Sequence, residues 1–325
     1  MISNKTLTCL KLKGLGEIYE KADLSALSYW RIGGRADIFI PRNEVDLVKA
    51  IKLIKESNSK YTVLGKTSNI LFTDDDIDGI ILLLGDGFNH FKDLGKGEFE
   101  VGASYSVPWL TYKTGSRGWT GIEHCIGIPG SLGGLIYMNG GSNRKAIGDN
   151  VISVNAIDIN KNCIVTIEHD DCNFSYRNSI FQSGDYIILS AKLKLSEKSA
   201  RANKNEMLSI LRIRRSKFPL NLPSCGSVFQ SKSDVYEKYG PPGKILEEMG
   251  FKKLSVGGVE VSDKHANFIV NRGGATASDV INLVRIIRKK VHDELNVLLP
   301  TEVNFVSKSL DVVPLSEYLD SGNQR

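Results

Sequence analysis

The stretch that decides the fold is GIPGSLGG, residues 127–134. Four glycines, a proline and a serine in eight residues are typical of no regular element. Apolar residues flank the stretch at 122–126 and 135–138, which predicts a loop inside a domain rather than at its rim. A buried loop must satisfy its own backbone polar groups, and a diphosphate offers many acceptors for them. The stretch therefore favours a cofactor-binding loop over a plain connection.

A second glycine turn lies upstream, in VLGKTSN at 63–69. One strand enters the turn and another leaves it, so several backbone N–H groups can converge on an anion, with Ser68 and Asn69 adding side-chain bonds. The turn matches neither GxGxxG nor a Walker loop, and taken alone it is more typical of a β-hairpin. Of two further clusters, RIGG at 31–34 is by itself typical of a bulge, and NGGS at 139–142 continues the wall of the first loop.

Composition and charge limit the class of protein. The 325 residues predict about two domains, and 41% hydrophobic with 24% charged residues is an ordinary globular balance. The net charge of +5 is scattered, and its densest run, at 212–217, suits a phosphate-bearing small molecule at least as well as nucleic acid, so we expect no nucleic-acid partner. No apolar run could span a bilayer, and residues 1–14 lack the apolar core of a secretory signal. The five cysteines form no CxxC pair, so we expect no metal site, reduced thiols and a cytoplasmic protein without membrane association.

The order of elements predicts an α+β fold in two domains. Residues 44–57 space their apolar side chains as a helix does, and a charged, apolar-poor stretch at 197–204 predicts a linker. Beyond it, Ser278 is predicted to cap a long amphipathic helix, and residues 298–306 to form a closing strand. We therefore expect domains at 1–199 and 200–306 and a surface tail at 307–325. Strands are predicted at 61–63, 69–72, 79–84, 98–102, 151–158, 163–167 and 186–195.

Eight motifs, taken together and in this order, resemble those of the UDP-N-acetylenolpyruvoylglucosamine reductases, the MurB family. The resemblance covers residues 15–306, and the motifs are specific in combination rather than one by one. They are YWRIGG at 29–34, VLG and SN within 63–69, GIPGSLGG at 127–134, YMNG at 137–140, SYRNS at 175–179, SCGSVF at 224–229, KHANFIVN at 264–271 and LPTEV at 299–303.

The resemblance implies an FAD-binding domain of the vanillyl-alcohol-oxidase, or PCMH, type in two α+β halves, followed by a C-terminal α+β substrate-binding domain. It implies non-covalent FAD, since the 63–69 turn has no histidine, with NADPH as co-substrate and a UDP-sugar as substrate. The short segment at 234–243 replaces the tyrosine-bearing insert of one branch, which indicates the shorter, type II form. We expect a monomer or weak oligomer. The cofactor-binding residues implied are Arg31, Gly33, Gly34, Gly65, Lys66, Thr67, Ser68, Asn69, Gly127, Ile128, Pro129, Gly130, Ser131, Gly133, Gly134 and Asn139.

The reaction implied by the resemblance is a ping-pong reduction in peptidoglycan precursor synthesis. NADPH reduces FAD and leaves, and reduced flavin then delivers a hydride to the terminal vinyl carbon of the enolpyruvyl UDP-sugar, giving UDP-N-acetylmuramate. Charge that develops at the adjacent carbon spreads into the carboxylate. The carboxylate therefore needs a cationic or acidic partner, and the carbon needs a proton donor.

Three residues match these roles in the family motifs. Arg177, whose guanidinium can fork across a carboxylate, matches the cation. Ser227 matches the proton donor, and Glu302 matches a second acid whose pKa apolar neighbours would raise. Outside the resemblance each has an ordinary interpretation: a surface ion pair, a turn serine and an outward-facing strand residue. The residues that resemble substrate-binding positions are Tyr176, Lys217, at the diphosphate, and Asn267.

Several positions depart from the family pattern, among them Lys66 and Thr67 in place of small residues and Cys225 in place of alanine. They leave open two alternatives: a paralogous flavin reductase of another enolpyruvyl nucleotide sugar, and a non-catalytic UDP-sugar-binding paralogue. A flavin oxidase of the same superfamily would lack the sequence contexts of Ser227 and Glu302.

Overall fold

The structure is a computed structural model and describes residues 13–322. Two compact units make up this part of the chain, and each is assembled from separate segments. The first contains the described residues up to Tyr19, then Ile38–Lys66 and Ile80–Arg214. The second contains Glu20–Asp37, Thr67–Gly79 and the described residues from Arg215 onward. This arrangement differs from the predicted division at residue 200, because two N-terminal segments belong to the second unit.

Helices and strands are mixed along the chain, which agrees with the predicted α+β class, and both are numbered in chain order. The helices are α1 (Glu44–Glu56), α2 (Val107–Gly115), α3 (Leu132–Tyr137), α4 (Ala200–Lys217), α5 (Ser233–Tyr239), α6 (Pro242–Glu248), α7 (Ala277–Leu295) and α8 (Leu315–Gly322). The strands are β1 (Gly16–Asp23), β2 (Arg35–Pro41), β3 (Tyr61–Leu64), β4 (Ile70–Phe72), β5 (Ile80–Leu83), β6 (Phe91–Gly95), β7 (Glu98–Gly102), β8 (Trp119–Thr120), β9 (Val151–Asp158), β10 (Cys163–Glu168), β11 (Tyr186–Lys194), β12 (Ser196–Glu197), β13 (Ser255–Val256), β14 (Val259–Val261), β15 (Ile269–Asn271), β16 (Asn304–Val306) and β17 (Val312–Pro314).

A five-stranded antiparallel sheet forms the larger core of the first unit. Its strand order is β10-β9-β11-β7-β6, and the central strand β11 pairs with both β9 and β7. Phe99, Val101 and Val154 of this sheet are buried in one cluster with Leu132 and Leu135 of α3. Helix α3 therefore packs on the sheet, and it begins inside the GIPGSLGG stretch, so the second half of that stretch is helical rather than irregular as predicted.

A smaller sheet, with strand order β1-β2-β5-β3, accompanies helix α1. Asn43 caps this helix by accepting a hydrogen bond from the Asp46 backbone N–H at 3.0 Å. The helix buries Leu47, Ile51 and Ile54, whose spacing of three and four residues forms one apolar face. The helix predicted at 44–57 is confirmed for this reason.

The second unit is built around helix α7 and two three-stranded sheets, ordered β13-β14-β15 and β17-β16-β4. Helix α7 buries one apolar face, which includes Val280, Val284 and Ile287. Strand β4 runs parallel to β16, with Ile70 opposite Asn304. This pairing of distant strands draws residues 67–79 into the second unit. The predicted closing strand at 298–306 is shorter in the structure, since β16 begins only at Asn304.

The N-terminus of helix α7 is capped by Thr276, not by Ser278 as predicted. Thr276 accepts a hydrogen bond from the Asp279 N–H at 3.1 Å, and Asp279 accepts one from the Thr276 N–H at 3.0 Å. Asp74, from the acidic turn after β4, also accepts hydrogen bonds from the backbone N–H groups of Ala277 at 2.7 Å and Ser278 at 3.1 Å. A carboxylate from a distant part of the chain thus compensates the free N–H groups of this helix end.

Two further predictions are corrected. The predicted linker at 197–204 contains the start of helix α4, which begins at Ala200 and places Asn203 and Met207 in buried positions. The predicted surface tail contains β17 and α8, and Leu315 and Leu319 of α8 belong to the buried core of the second unit. Every helix within residues 13–322 is too short or too polar to cross a membrane.

Candidate active site

The two glycine-rich segments predicted to bind a cofactor meet in the first unit. A Cβ atom added to Gly65 would lie 2.7 Å from the Oγ of Ser131, closer than real Cβ atoms approach. The loop backbone is fixed by hydrogen bonds from Val107 N–H to Gly130 O at 3.1 Å and from Gly133 N–H to Ala103 O at 2.8 Å. Gly65 therefore packs so closely against Ser131 that a side chain at position 65 would collide with its hydroxyl, and the two glycine segments lie side by side.

The loop is less buried than the flanking sequence predicted. Ser131 is buried, while Ile128 is half-buried and Pro129 and Gly134 are exposed. Gly130 adopts a φ of +133°, which side-chain-bearing residues rarely adopt. The loop lies at the edge of its unit, where a ligand can reach its backbone.

Two guanidinium groups lie close to the start of this loop. A Cβ atom at Gly127 would collide with the side chain of Arg214, which is half-buried on α4. Burial lowers the pKa of Arg214. Burial also raises the pKa of the Cys125 thiol to about 12, and the positive charges of Arg177 and Arg214 act in the opposite direction on it. From the sequence, Arg214 is a neighbour of Lys217 in the basic run at 212–217, which leaves open whether it helps to bind a diphosphate or is only solvated.

Arg177 occupies a tight turn in the first unit. Ser175 and Asn178 exchange two backbone hydrogen bonds, each 3.1 Å long, so Tyr176 and Arg177 form the tip of the turn. Arg177 has a φ of +55°, and its carbonyl accepts a hydrogen bond from Gln182 Nε2 at 3.0 Å. The guanidinium carbon lies 5.4 Å from the centre of the Tyr176 ring. A left-handed backbone at a bulky residue is a strained arrangement of the kind that clusters at functional sites.

Asn139 supports this turn and is not free to bind a cofactor with its amide. Its Nδ2 donates to Ser175 O at 2.8 Å, and its Oδ1 accepts from Gly148 N–H at 3.0 Å. The side chain is buried. Asn139 therefore positions the Arg177 turn, which the sequence could not show because Ser175 is distant along the chain.

In the second unit, Asn267 holds the turn that carries Ser227. Its Oδ1 accepts from Phe229 N–H and its Nδ2 donates to Phe229 O, both at 2.9 Å. The Asn267 carbonyl accepts from Val228 N–H at 2.9 Å. Gly226 provides a φ of +77° just before Ser227, which is half-buried. The amide of Asn267, predicted to bind substrate, is thus engaged with protein backbone on both sides.

Glu302 is brought beside the same turn. Its backbone N–H donates to Val228 O at 2.7 Å, and its carbonyl accepts from Asn69 Nδ2 at 2.8 Å. Thr301 forms an isolated antiparallel bridge with Phe229. Glu302 precedes β16 and is half-buried, so the interpretation as an outward-facing strand residue does not apply. The second unit therefore unites three predicted site residues: Asn69, Ser227 and Glu302.

Thr67 fixes the end of the 63–69 turn. It is buried, has a φ of +52°, and donates its hydroxyl to Leu27 O at 2.6 Å. Its carbonyl accepts from Ile70 N–H at 3.2 Å. The buried thiol of Cys225 lies 3.2 Å from Ile70 O and adds a further link to strand β4. The neighbouring Lys66 is exposed.

The RIGG cluster has a packing role in the second unit. A Cβ at Gly34 would collide with the Asp75 carbonyl, and one at Gly33 would lie 2.9 Å from the Leu24 Cβ. The preceding Trp30 is fully buried and donates its Nε1 to Ile269 O at 2.8 Å. These glycines are explained by close packing, while Arg31 is exposed with a φ of +56°.

Lys217 and His265 both belong to the second unit. Lys217 is the last residue of α4 and is exposed. His265 packs edge-on against Phe218 and Phe268, with ring centroids 5.2 Å away in each case. Its Nδ1 accepts from the Asn267 N–H at 3.2 Å, and burial lowers its pKa. His265 therefore supports the Asn267 segment.

Comparison with known proteins connects these sites to a family. A model of the UDP-N-acetylenolpyruvoylglucosamine reductase C-terminal domain matches residues 218–306, and a model of an FAD binding domain matches residues 36–167. A UDP-N-acetylenolpyruvoylglucosamine reductase 1 of Corynebacterium glutamicum is 37% identical over 301 residues, which cover 92% of this chain and 89% of that protein. The chain belongs to the UDP-N-acetylenolpyruvoylglucosamine reductase family. The predicted resemblance is confirmed.

Other members of the MurB family agree with this assignment. The reductase of Nostoc punctiforme is 36% identical, with coverage of 90% of this chain and 86% of that protein. The crystal structure of the Thermus caldophilus UDP-N-acetylenolpyruvylglucosamine reductase superposes with a TM-score of 0.75 at 27% identity, covering 89% of this chain and 98% of that one. The predicted fold, an FAD-binding domain followed by a C-terminal domain of this family, is confirmed by the two domain matches.

The residues of the first unit fit an FAD. The FAD-binding domain match includes both Gly65 and the 127–134 loop. A Cβ atom at Gly65 would collide with the Ser131 side chain and one at Gly127 with the Arg214 side chain, so only glycine fits at these two positions. Glycine-rich backbone beside a serine hydroxyl and a guanidinium forms a set of donors that suits a diphosphate.

Proposed function

We propose that the protein reduces UDP-N-acetylenolpyruvoylglucosamine to UDP-N-acetylmuramate, with non-covalent FAD and with NADPH as the hydride donor. The proposal is supported above all by the hydrogen bond between the Glu302 N–H and Val228 O at 2.7 Å. This bond holds an acidic residue beside the Ser227 turn within a chain of this reductase family. A cytoplasmic protein that acts as a monomer or weak oligomer in peptidoglycan precursor synthesis belongs to the same proposal.

The first unit would hold the cofactor. Gly65 and the loop at 127–134 would bind the diphosphate through their backbone N–H groups, which the close packing of Gly65 on Ser131 supports because it brings the two segments together. When bound, FAD supplies the transfer of a hydride from NADPH to the terminal vinyl carbon of the sugar. Arg214 lies against Gly127 and would add a positive charge near the loop.

Ser227 would donate the proton that completes the reduction. Its hydroxyl would protonate the carbon that bears the carboxylate, after the hydride has reached the terminal carbon. A serine is a weak acid, so this step requires a fixed hydroxyl and a strongly basic carbon. Gly226 and the double hydrogen bond between Asn267 and Phe229 fix the turn around Ser227.

Arg177 and Glu302 would stabilise the carboxylate as negative charge spreads into it. A guanidinium offers two parallel N–H donors to a carboxylate, and a protonated carboxylic acid offers one O–H. The rigid turn of Arg177 supports its use in such binding, since a fixed donor needs no reorganisation during the reaction. Tyr176, at the tip of the same turn, and Lys217 would contact the sugar nucleotide.

The proposal predicts that Ser227→Ala separates the two half-reactions. In an anaerobic spectrophotometer, the variant should bleach with NADPH at the wild-type rate. Its reoxidation by UDP-N-acetylenolpyruvoylglucosamine should slow by about 100- to 10,000-fold, the usual contribution of a positioned proton donor. Ser224→Ala, in the same segment, is the matched control and should retain both rates.

Three outcomes would contradict parts of the proposal. Normal reoxidation of Ser227→Ala by the sugar would remove Ser227 as proton donor. If the wild-type protein bleaches with NADPH but is reoxidised only by oxygen or by another enolpyruvyl sugar, the proposed substrate is wrong. A protein that binds no flavin would remove the reductase function altogether.

A further inference from the structure

Residues 312–322 form an ordered element that we call the C-terminal brace, consisting of β17 (Val312–Pro314) and α8 (Leu315–Gly322). The brace lies beyond residue 306, where the match to the family's C-terminal domain ends. Strand β17 pairs with β16 in antiparallel fashion, with Val312 opposite Val306. Leu315 and Leu319 are buried in the core of the second unit. The segment is therefore part of the folded unit, and its contacts suggest what it does there.

The brace binds the two residues that flank Glu302. Thr301 N–H donates to Ser316 Oγ at 3.1 Å, and Ser316 N–H donates to Thr301 Oγ1 at 2.8 Å. On the other side of Glu302, the Val303 carbonyl accepts from Leu315 N–H at 3.0 Å. Thr301 is 0% and Ser316 5% exposed, so water does not compete for these bonds.

A buried arginine joins the brace to the loop that leads into Glu302. Arg288 of α7 is only 8% exposed and donates its Nε to Leu299 O at 3.0 Å. Its two Nη atoms bind both carboxylate oxygens of Asp320 at 2.9 and 3.0 Å. Such bidentate, charge-assisted pairs fix geometry more strongly than neutral hydrogen bonds do. Helix α7, residues 299–303 and α8 are therefore linked through one guanidinium.

We propose that the C-terminal brace is a positioning element for Glu302, and that Ser316 is its principal positioning residue. The backbone of Glu302 is held by Val228 and Asn69 on one side, and its two neighbours are held by the brace on the other. Loss of the Ser316 hydroxyl leaves the buried Thr301 N–H without its acceptor, so the segment shifts to satisfy it. The inference rests on the proposed catalytic role of Glu302.

The test compares Ser316→Ala with wild type in the full-length, FAD-loaded protein. Bleaching by NADPH should be unchanged. Reoxidation by UDP-N-acetylenolpyruvoylglucosamine should slow by about 10- to 100-fold, because small displacements of a reacting group have effects of this size. The matched control is Ser321→Ala on the same helix, whose exposed hydroxyl donates to Tyr318 O at 3.0 Å, and both rates should stay normal.

Hydrogen exchange provides a readout that does not depend on activity. In Ser316→Ala, the amides of a peptide spanning residues 299–305 should exchange faster, while peptides of the first unit should not change. Asp320→Asn changes an exposed carboxylate and serves as the second variant if Ser316→Ala folds poorly. It should also slow reoxidation by the sugar and speed exchange at 299–305, but by less than Ser316→Ala does.

The outcomes distinguish this inference from the proposed function. Unchanged exchange at 299–305 would overturn the brace, as would faster exchange with a normal rate of reoxidation by the sugar. If both half-reactions slow equally and the melting temperature falls, the brace only stabilises the fold, and its positioning role is overturned. Glu302→Gln provides the remaining arm: normal sugar reduction by E302Q would overturn the catalytic role of Glu302 itself, whatever Ser316→Ala does.

Discussion

Arg177 holds its guanidinium on a left-handed backbone, at a φ of +55°. A bulky L-residue in this conformation costs on the order of 1–2 kcal/mol, which the surrounding hydrogen bonds from Asn139 and Gln182 must offset. These bonds fix the backbone of the turn from which the Tyr176 and Arg177 side chains project. At the scale of single residues, the structure therefore favours a fixed donor at this position.

Arg177→Lys should keep the positive charge and remove the planar fork. We expect the anaerobic reoxidation by the enolpyruvyl sugar to slow by about 100- to 1000-fold, a loss typical of removing one well-placed donor to a developing negative charge. The rate of flavin reduction by NADPH should not change. Arg212→Lys, an exposed residue of α4, serves as control. Equal sugar reduction by both variants would exclude a carboxylate-binding role for Arg177.

The sequence predicted which residues come together at the site better than it predicted what their side chains bind. Asn69 donates to the Glu302 carbonyl, and the Glu302 N–H donates to Val228, the neighbour of Ser227, so these three predicted positions do lie together. Asn139 and Asn267 were expected to bind ligands, yet their amides bind backbone groups far away in sequence. A sequence shows an amide but not the partner that tertiary contacts bring to it.

At the scale of elements, the free backbone N–H groups at the start of helix α7 donate to two different sets of side chains. The capping box of Thr276 and Asp279 was visible in the sequence as a threonine followed three residues later by an acid. The contribution of Asp74 was not visible, since its carboxylate comes from the turn after β4. The apolar periodicity predicted the helix, while the cap was assigned two residues too late because Ser278 is also a residue type that favours helix starts.

Asp74→Ala should destabilise the second unit. Loss of the acceptor for the Ala277 and Ser278 N–H groups should lower the free energy of unfolding by on the order of 1–2 kcal/mol. Urea denaturation followed by circular dichroism would measure the change. Asp76→Ala, an exposed residue of the same turn, removes the same charge and should have little effect. Equal losses in the two variants would mean that charge alone, not the cap, is responsible.

At the scale of the whole molecule, each unit contains a histidine whose pKa burial lowers: His124 in the first and His265 in the second. The positive charge of Lys145 also lowers the pKa of His124, while the negative charges of Asp149 and Glu123 raise it by less than burial lowers it. A buried histidine with a lowered pKa stays neutral in the folded state. The unfolded chain takes up the proton first as the pH falls, so stability is full above the ordinary pKa near 6.5 and declines below it.

His124→Phe should therefore reduce the acid sensitivity of the protein. We expect the melting temperature of wild type to fall between about pH 7.5 and about pH 5.5, and that of the variant to fall less. Differential scanning calorimetry at a series of pH values would record both. His292→Gln changes an exposed histidine and should follow wild type. A pH profile of His124→Phe identical to wild type would exclude His124 as a source of the acid sensitivity.

The division into units was the part of the fold least open to prediction. Local patterns place strands and helices near their observed bounds, as at β7, β9 and α1. They cannot show that residues 20–37 and 67–79 belong with the C-terminal part, because pairs such as Ile70 and Asn304 decide that membership. A prediction of domains as successive segments therefore placed one boundary near residue 200.

The parallel pairing of β4 with β16 has a consequence for synthesis on the ribosome. Ile70, Leu71 and Phe72 are buried in the finished protein, but their partner strand is translated roughly 230 residues later. At translation rates of about 5–20 residues per second, the nascent chain exposes this apolar segment for on the order of 10–50 s. The first unit loses little by this delay, since Ile80–Arg214 is translated without interruption. The second unit must wait until β16 has been synthesised, and during that interval β4 is an exposed apolar segment of the kind that chaperones bind.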